Sequence, residues 1–517
     1  MKYEKTICFL VLAKHDTKCT ILHSFCHSTL SFISKKGQLR SMYKFHTTIM
    51  LTINLHPKNL LEFLTLSNTI IMFLALLSLI CLLIIITKKA SCKIYLINFA
   101  CYKPPNSLQC SKELSMKLAR QSGYFSEDLL DFMKKIYERN GIGDSAYVTE
   151  KCFGLIYDPS MKDARTEIET NIFSAVDMLL AKTGVRCDDI GILIVNCCIY
   201  NTMPSVCSMI VNRYKFRESI ITYSLVGMGC SAGLRAIGLA KHLLQVNQNT
   251  YALIVSTESI TENFYIGKDR SKILPNCMFR VGSAAILLSN RPSDHNNSKY
   301  QLLHAVHTNT SSSDRSYNCV QREEDNVGMI GITVTKDLVA SAIATIKPNI
   351  AALGGKILPI KEQLLYIITY IARKLLPSVN IQPYQPNFCD AVDHFLPHVG
   401  GKMVLDGLQK SLGFSNIAME ASRMTLYRYG NTSSSSIWYE LAYVEAKGRV
   451  KKGDRVWHIA FGSGFKCSSV IWHAMKTLDA NDDDNNPWMD EISGFPVTLT
   501  DCDEQMPVYS YLPSEVD

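Results

Sequence analysis

The chain has 517 residues, 47% hydrophobic and 19% charged, a balance that excludes a disordered or collagen-like polymer and a length that suggests about three domains. Its formal net charge of +8 divides into +6 over residues 1–66, +13 over 67–477 and −11 over 478–517. A basic body admits an anionic membrane, a phosphorylated substrate or nucleic acid as partner, and no RNP-type motif, Cys/His finger or zipper supports the last.

In chain order, residues 1–66 contain a short apolar run, Ile7–Ala13, too short to span a bilayer, and a possible first membrane span near 46–66, interrupted by His56, Pro57, Lys58 and Glu62. Residues 67–93 read as a transmembrane helix with its basic flank. No charge occurs from Phe63 to Thr87, and Ile70–Ile86 is almost wholly aliphatic. Lys88, Lys89 and Lys93 follow, so the positive-inside rule places the downstream chain in the cytosol. The 18 cysteines are scattered without a C-x-x-C pair, which suits buried thiols in a reducing compartment.

From residue 94 the pattern is α/β. Helical spacing over Asp163–Lys182 leads into a strand-length apolar run, Asp189–Val195. A helix over Ser231–Gln245 precedes a second buried strand, Tyr251–Ser256. Helices over Asp337–Ile346 and Lys361–Leu375 and a strand over Val456–Phe461 continue the alternation, which implies helices on both faces of a sheet. Residues 479–517, with Asp482-Asp-Asp484 and scattered prolines, read as a solvated acidic tail.

Three segments carry chemistry. In Gly227-Met-Gly-Cys-Ser-Ala-Gly233, glycines surround Cys230 where the chain turns into a helix, and a helix N-terminus favours the thiolate; Cys230 is the nucleophile candidate. In Asp393-His-Phe-Leu-Pro-His-Val-Gly-Gly-Lys402, His394 and His398 are four apart, but Pro397 breaks a helical metal pair, so no metal is expected. His398 lies in a loop before a helix over Met403–Leu412, where a substrate-facing role is possible. In Tyr429-Gly-Asn-Thr-Ser-Ser-Ser-Ser436, the serines begin a helix over Ile437–Tyr443 and allow close approach, leaving Asn431 on a turn with an amide to donate. Cys, His and Asn together admit papain-like proteolysis or thioester chemistry, and the papain-type cysteine box is absent.

The chain from about Tyr95 to Met475 resembles the plant very-long-chain 3-ketoacyl-CoA synthases, the condensing enzymes of fatty-acid elongation. The likeness is carried by Asn98–Pro105, Gly227–Gly233, Asn249–Glu258, Gly430–Tyr443 and Phe461-Gly-Ser-Gly-Phe-Lys-Cys467. It implies a thiolase-like α/β fold of two similar halves in a five-layered αβαβα body: residues 94–295 carrying Cys230, and 296–478 carrying His398 and Asn431. It implies Cys230, His398 and Asn431 as the catalytic triad, with Gly229, Gly462 and Gly464 in the oxyanion and substrate loops. His394, His304 and His473 are secondary candidates.

The resemblance further implies acyl-CoA and malonyl-CoA as substrates, no cofactor and a homodimer. It also implies an endoplasmic-reticulum membrane location and a complex with the ketoacyl reductase, dehydratase and enoyl reductase of elongation. The stretch from His307-Thr-Asn309 to Ser311-Ser-Ser-Asp314 departs from the family's Arg-Thr-His and Gly-Ala-Asp-Asp. That leaves a catalytically weak homologue acting as a binding partner as one alternative; a type III polyketide synthase-like enzyme, which shares the Cys, His and Asn set, is the other.

Overall fold

The computed structural model describes residues 72–73, 75–76, 78–79, 92–376, 379–480, 483 and 485–499. Of the expected membrane helix, only Met72, Phe73, Ala75, Leu76, Ser78 and Leu79 fall among these, and they are helical. The possible span near 46–66 lies outside the described residues. Residues 1–91 and 92–517 form separate units, and the architecture below is that of the second.

Among the described residues eleven strands are formed: β1 Tyr95–Cys101, β2 Ile190–Asn196, β3 Ile221–Leu225, β4 Tyr251–Thr257, β5 Ser283–Ser289, β6 Tyr300–Asn309, β7 Val320–Glu324, β8 Ile330–Val334, β9 His394–Pro397, β10 Arg455–Gly462 and β11 Lys466–Ala474. Eight helices build the layers and the site: α1 Met161–Thr183, α2 Ala232–Val246, α3 Arg270–Met278, α4 Leu338–Ile357, α5 Ile360–Leu375, α6 Lys402–Leu412, α7 Asn416–Tyr429 and α8 Ser436–Ala446. Nine strands hydrogen-bond in the order β3-β2-β4-β5-β1-β6-β11-β10-β9, and β7 and β8 form a separate hairpin.

The nine-stranded order is two half-sheets joined at a narrow seam. β1 and β6 pair only through Tyr95–Gln301 and Leu96–Tyr300. α2 packs on β2 and β4 of one half and on β6, β10 and β11 of the other, so the sheet folds back around it at the seam. α1 covers the outer face of the first half against β1, β4 and β5, and α4 covers the second against β6 and β11. The stacking is therefore helix, sheet, helix, sheet, helix.

Burial follows from that position. Every residue of β2, β4 and β5 is buried, which is why they read as continuous aliphatic runs rather than alternating ones. All of α8 is buried too. A Cβ on Gly233 would lie 2.6 Å from the Ser434 carbonyl oxygen, so the serine run lets two helix starts approach closely.

α4 is longer than the sequence pattern suggests, running through Pro348. Its length and apolarity would suffice to cross a membrane, yet it belongs to the core. Buried Ser341, Thr345 and Asn349 sit at i, i+4, i+8 facing the sheet. Asn349 donates to the carbonyls of Val306 (3.2 Å) and Cys467 (3.3 Å) and accepts from Ser469 Oγ (2.6 Å). Pro348 lies on the exposed side, where an interrupted helical bond is solvated.

The acidic tail is the main correction to the sequence reading. Its described part is packed rather than solvated. Trp488 is fully buried against Tyr429 and Tyr443, and its indole N–H donates to Tyr439 O at 2.8 Å. Asp483 pairs with Lys182 at 2.7 Å, and Glu491 accepts from Arg428 at 2.8 Å. The acids are ligands for buried or half-buried cations, which composition alone does not reveal. No disulfide links the cysteines from Cys92 to Cys467 among the described residues.

Candidate active site

Cys230, His398 and Asn431 come from three separate places in the chain and line one cavity of about 940 Å³. Cys230 is the middle residue of a single 3₁₀ turn, Gly229–Ser231, that leads directly into α2. His398 follows β9, and its backbone N–H is held by Ile459 O of β10 at 2.8 Å. Asn431 follows α7 and is held by one stretch of main chain, 278–280: its N–H donates to Met278 O (3.2 Å), and its carbonyl accepts from Arg280 N–H (2.9 Å).

The Asn431 amide is oriented by one contact. Its Oδ1 accepts the Ser433 N–H at 2.9 Å, so the NH2 is the face of the group left for a ligand. Ser433 itself has φ of 58° and directs its hydroxyl to Cys230 Sγ (3.6 Å) and Glu258 Oε2 (3.4 Å). The serine run thus leads into α8 and, through Ser433, ties Asn431 to the thiol.

Two glycines bring a second donor group to the thiol. A Cβ on Gly229 would lie 2.5 Å from Ser463 N, and one on Gly462 would lie 2.6 Å from Cys230 N. The main chain of the Cys230 turn and that of the β10–β11 connection are therefore in direct contact. Only residues without a Cβ permit this, and Gly229 also needs its φ of +59°. The backbone nitrogens of Cys230 and Ser463 both lie at this contact and both residues line the cavity, so their N–H groups are candidates for an oxyanion hole.

Electrostatics differ from the helix-terminus expectation. Burial pushes the Cys230 thiol up to about 12, with Glu258 adding to the rise and the Ser433 hydroxyl opposing it. Burial likewise drives the His398 imidazole down to about 3, and its Nδ1 is enclosed without a hydrogen-bond partner. Burial therefore favours the neutral thiol at Cys230 and the neutral imidazole at His398. The desolvation of a thiolate outweighs the favourable field of one helix end.

Glu258 is a site residue that sequence reasoning left without a role. It ends β4, is buried, and accepts from the backbone N–H groups of Ile199 (3.0 Å), Cys198 (3.2 Å) and Ser259 (3.3 Å). Burial raises its carboxyl and these donors counter the rise. The available signal was its position just beyond the C-terminal end of a fully buried strand, where α/β sheets place their sites.

Other expected residues lie elsewhere. His394 starts β9 and bonds Asp454 Oδ2 at 2.9 Å, which makes it a structural partner of the β10 approach. His304 on β6 pairs across to Ile471, and His473 on β11 to Arg455; neither lines the cavity. Gly464 is also absent from the cavity wall, since its Cα faces the Lys466 side chain, while its neighbours Ser463 and Phe465 line it. No cluster of His, Cys, Asp and Glu suited to a metal occurs among the described residues.

Beyond the thiol the cavity is walled by apolar side chains of α3, the β8 strand, α4, α5 and α6, among them Met278, Val334, Ile346, Leu358, Val404 and Leu408. A polar end with a nucleophile and donors opens into a long apolar chamber. Such a shape suits a thioester carrying a hydrocarbon chain.

Comparison with known proteins agrees. Residues 85–375 match the family described as FAE1/type III polyketide synthase-like protein, and residues 389–474 match the C-terminal domain of 3-oxoacyl-[acyl-carrier-protein] synthase III. The chain is 52% identical over 446 residues to 3-ketoacyl-CoA synthase 2 of Arabidopsis thaliana, covering 85% of this chain and 84% of the relative. It is 52% identical over 406 residues to 3-ketoacyl-CoA synthase 11 of the same plant, covering 78% and 79%. Among solved structures, 1,3,6,8-tetrahydroxynaphthalene synthase of Streptomyces coelicolor, a bacterial type III polyketide synthase, superimposes with a TM-score of 0.57 at 18% identity. The match covers 74% of this chain and 99% of that one. PKS-I of the brown alga Ectocarpus siliculosus gives 0.56 at 17%, covering 74% and 98%; both show the shared fold.

Proposed function

The chain belongs to the FAE1/type III polyketide synthase-like family and, within it, to the plant 3-ketoacyl-CoA synthases, and from that premise we propose that it condenses a long-chain acyl-CoA with malonyl-CoA in very-long-chain fatty-acid elongation. The observation that carries this reading is the single cavity in which Cys230, His398 and Asn431 stand at the polar end of an apolar chamber.

Cys230 supplies the nucleophile. Its proton leaves as Sγ attacks the acyl thioester carbonyl, and His398, which lines the same cavity, is the group we assign to take it and pass it to the departing CoA sulfur. The tetrahedral oxyanion is held by the N–H groups of Cys230 and Ser463, and CoA departs as its thiol, leaving the acyl group on Cys230. Malonyl-CoA then binds and loses CO2. The electron pair of the broken C–C bond becomes an enolate whose thioester oxygen takes hydrogen bonds from His398 and the Asn431 NH2. The enolate carbon attacks the acyl-enzyme carbonyl, the Cys230–acyl bond breaks with its electron pair going to Sγ, which takes up one proton to restore the thiol, and 3-ketoacyl-CoA leaves.

Each oxyanion donor of this kind contributes roughly 10²–10³-fold in rate. The chemistry calls for no metal or redox cofactor, because CO2 loss supplies the carbanion. We place the chain at the endoplasmic-reticulum membrane with this body in the cytosol, as a homodimer within an elongase complex. The uncharged run Phe63–Thr87 and the lysines after it support that placement.

Membranes expressing the full chain, given labelled malonyl-CoA and acyl-CoAs of graded length, should yield longer 3-keto products from long primers. Product only from short starters, by a chain extractable without detergent, would favour a polyketide synthase-like activity. No product from any primer would favour a binding partner that has lost catalysis.

A further inference from the structure

Helix α5, Ile360–Leu375, buries none of its 16 residues. Ile360, Leu364, Ile367, Ile368, Ile371 and Leu375 recur at helical spacing along one side and are 48–75% exposed. Soluble surfaces rarely carry a contiguous apolar stripe of this length without a partner. At about 1.5 Å per residue the helix is roughly 24 Å long, short of the ~20 residues that cross a bilayer, so it suits lying in an interface rather than spanning one.

Two further features say what covers it. The helix is also a wall of the catalytic cavity, to which it contributes Gln363, Tyr366 and Ile367, so the stripe is continuous with the chamber behind Cys230. Its free charges are cationic: Lys361 in the first turn, and Arg373 and Lys374 in the last. The one acid, Glu362, is turned back into the protein by accepting from Tyr384 OH (2.7 Å) and Asn387 N–H (2.9 Å). Stacked Tyr366 and Tyr370, their ring centres 6.5 Å apart, add the amphipathic aromatics that favour a lipid headgroup zone. Lys374 lies over the Tyr370 ring at 5.1 Å.

We propose that α5 docks in the headgroup region of an anionic lipid bilayer and that the cavity mouth it borders admits the acyl chain from the lipid phase. An apolar stripe beside basic residues is the pattern of an interfacial helix, and each cation near the surface adds attraction to anionic lipid. Docking follows from α5 itself; the acyl-delivery half rests on the condensing activity proposed above.

The full chain is reconstituted in phosphatidylcholine–phosphatidylserine vesicles with p-benzoylphenylalanine replacing Ile368, which is outside the cavity wall, or Met203, which is 97% exposed far from α5 in sequence. Irradiation should give phospholipid adducts at position 368 and none at 203. Crosslinks at 368 to a second copy or to another protein, or equal lipid labelling at both positions, would overturn the docking. This readout does not depend on turnover, so it stands apart from whether the chain condenses acyl-CoA. With activity present, Leu364→Glu/Ile368→Glu should raise KM for a long acyl-CoA in vesicles about tenfold and leave kcat, and KM for malonyl-CoA, unchanged. Unchanged KM for the long acyl-CoA would overturn delivery from the lipid.

Discussion

Gly229 and Gly462 touch backbone to backbone: a Cβ on the first would lie 3.0 Å from the Cα of the second, and a Cβ on the second 2.9 Å from the carbonyl carbon of the first. That contact brings the main chain at Cys230 and at Ser463 together, and both residues line the cavity. Neither neighbour can move aside cheaply, because both are main chain. Gly462→Ala should therefore separate the two donors and lower kcat for condensation roughly 10²-fold, the worth of one oxyanion donor, with KM for acyl-CoA changed little. Steady-state kinetics of the purified variant check this, and unaltered kcat would remove the glycine pair from the mechanism.

Asn431 offers a cleaner separation of the two half-reactions. Asn431→Asp keeps an oxygen to accept the Ser433 N–H but replaces the free NH2 with a second acceptor. Acyl transfer to Cys230 should persist, while malonyl-CoA decarboxylation and condensation fall roughly 10²–10³-fold. Mass spectrometry of the Cys230 peptide and release of labelled CO2 measure the two steps independently.

The thiol's environment gives a pH signature. Because burial raises Cys230 to about 12, the thiolate is the minor form throughout the neutral range. Only the thiolate alkylates, so the rate of Cys230 modification by iodoacetamide should rise about tenfold per pH unit from pH 7 to 10 without levelling. A depressed thiol would instead reach its plateau near neutrality. Peptide mapping isolates Cys230 from the other cysteines, and a plateau below pH 8 would contradict a thiol raised by burial.

Trp488 fixes the segment after β11 to the body through Tyr429, Tyr443 and the Tyr439 carbonyl. Trp488→Ala should destabilise the body by about 3–5 kcal/mol, the usual loss for a fully buried tryptophan. Ending the chain at residue 478 should do at least as much harm. Thermal unfolding of the two variants, compared with the full chain, reads this directly.

What the sequence discloses and what it hides follow from the range of the interactions involved. Buried strands such as β2 and β4 are visible because a sheet covered on both faces writes uninterrupted aliphatic runs. Cys230 and Asn431 are visible because glycine and small polar residues mark turns that lead into α2 and α8. The extension of α4 past Ile346 depends on a polar ladder facing the sheet from Val306 to Ser469, a pairing no local pattern contains. Glu258, Ser433 and the apolar chamber are likewise made by segments over a hundred residues apart. The packed tail misled for the same reason: Asp483 and Glu491 look solvated until Lys182 and Arg428 are placed beside them. The helix-end argument for Cys230 failed on magnitude, since it weighed a local dipole without the burial that tertiary packing adds.

The most direct test of the central claim is to follow the acyl group itself. The full chain is incubated with a labelled long-chain acyl-CoA alone, then chased with malonyl-CoA. The label should first appear on the Cys230 peptide with release of one CoA, and the chase should clear it as 3-ketoacyl-CoA; Cys230→Ala should show neither event. Label on a different residue, label that malonyl-CoA does not clear, or product formed by the Cys230→Ala chain would contradict it.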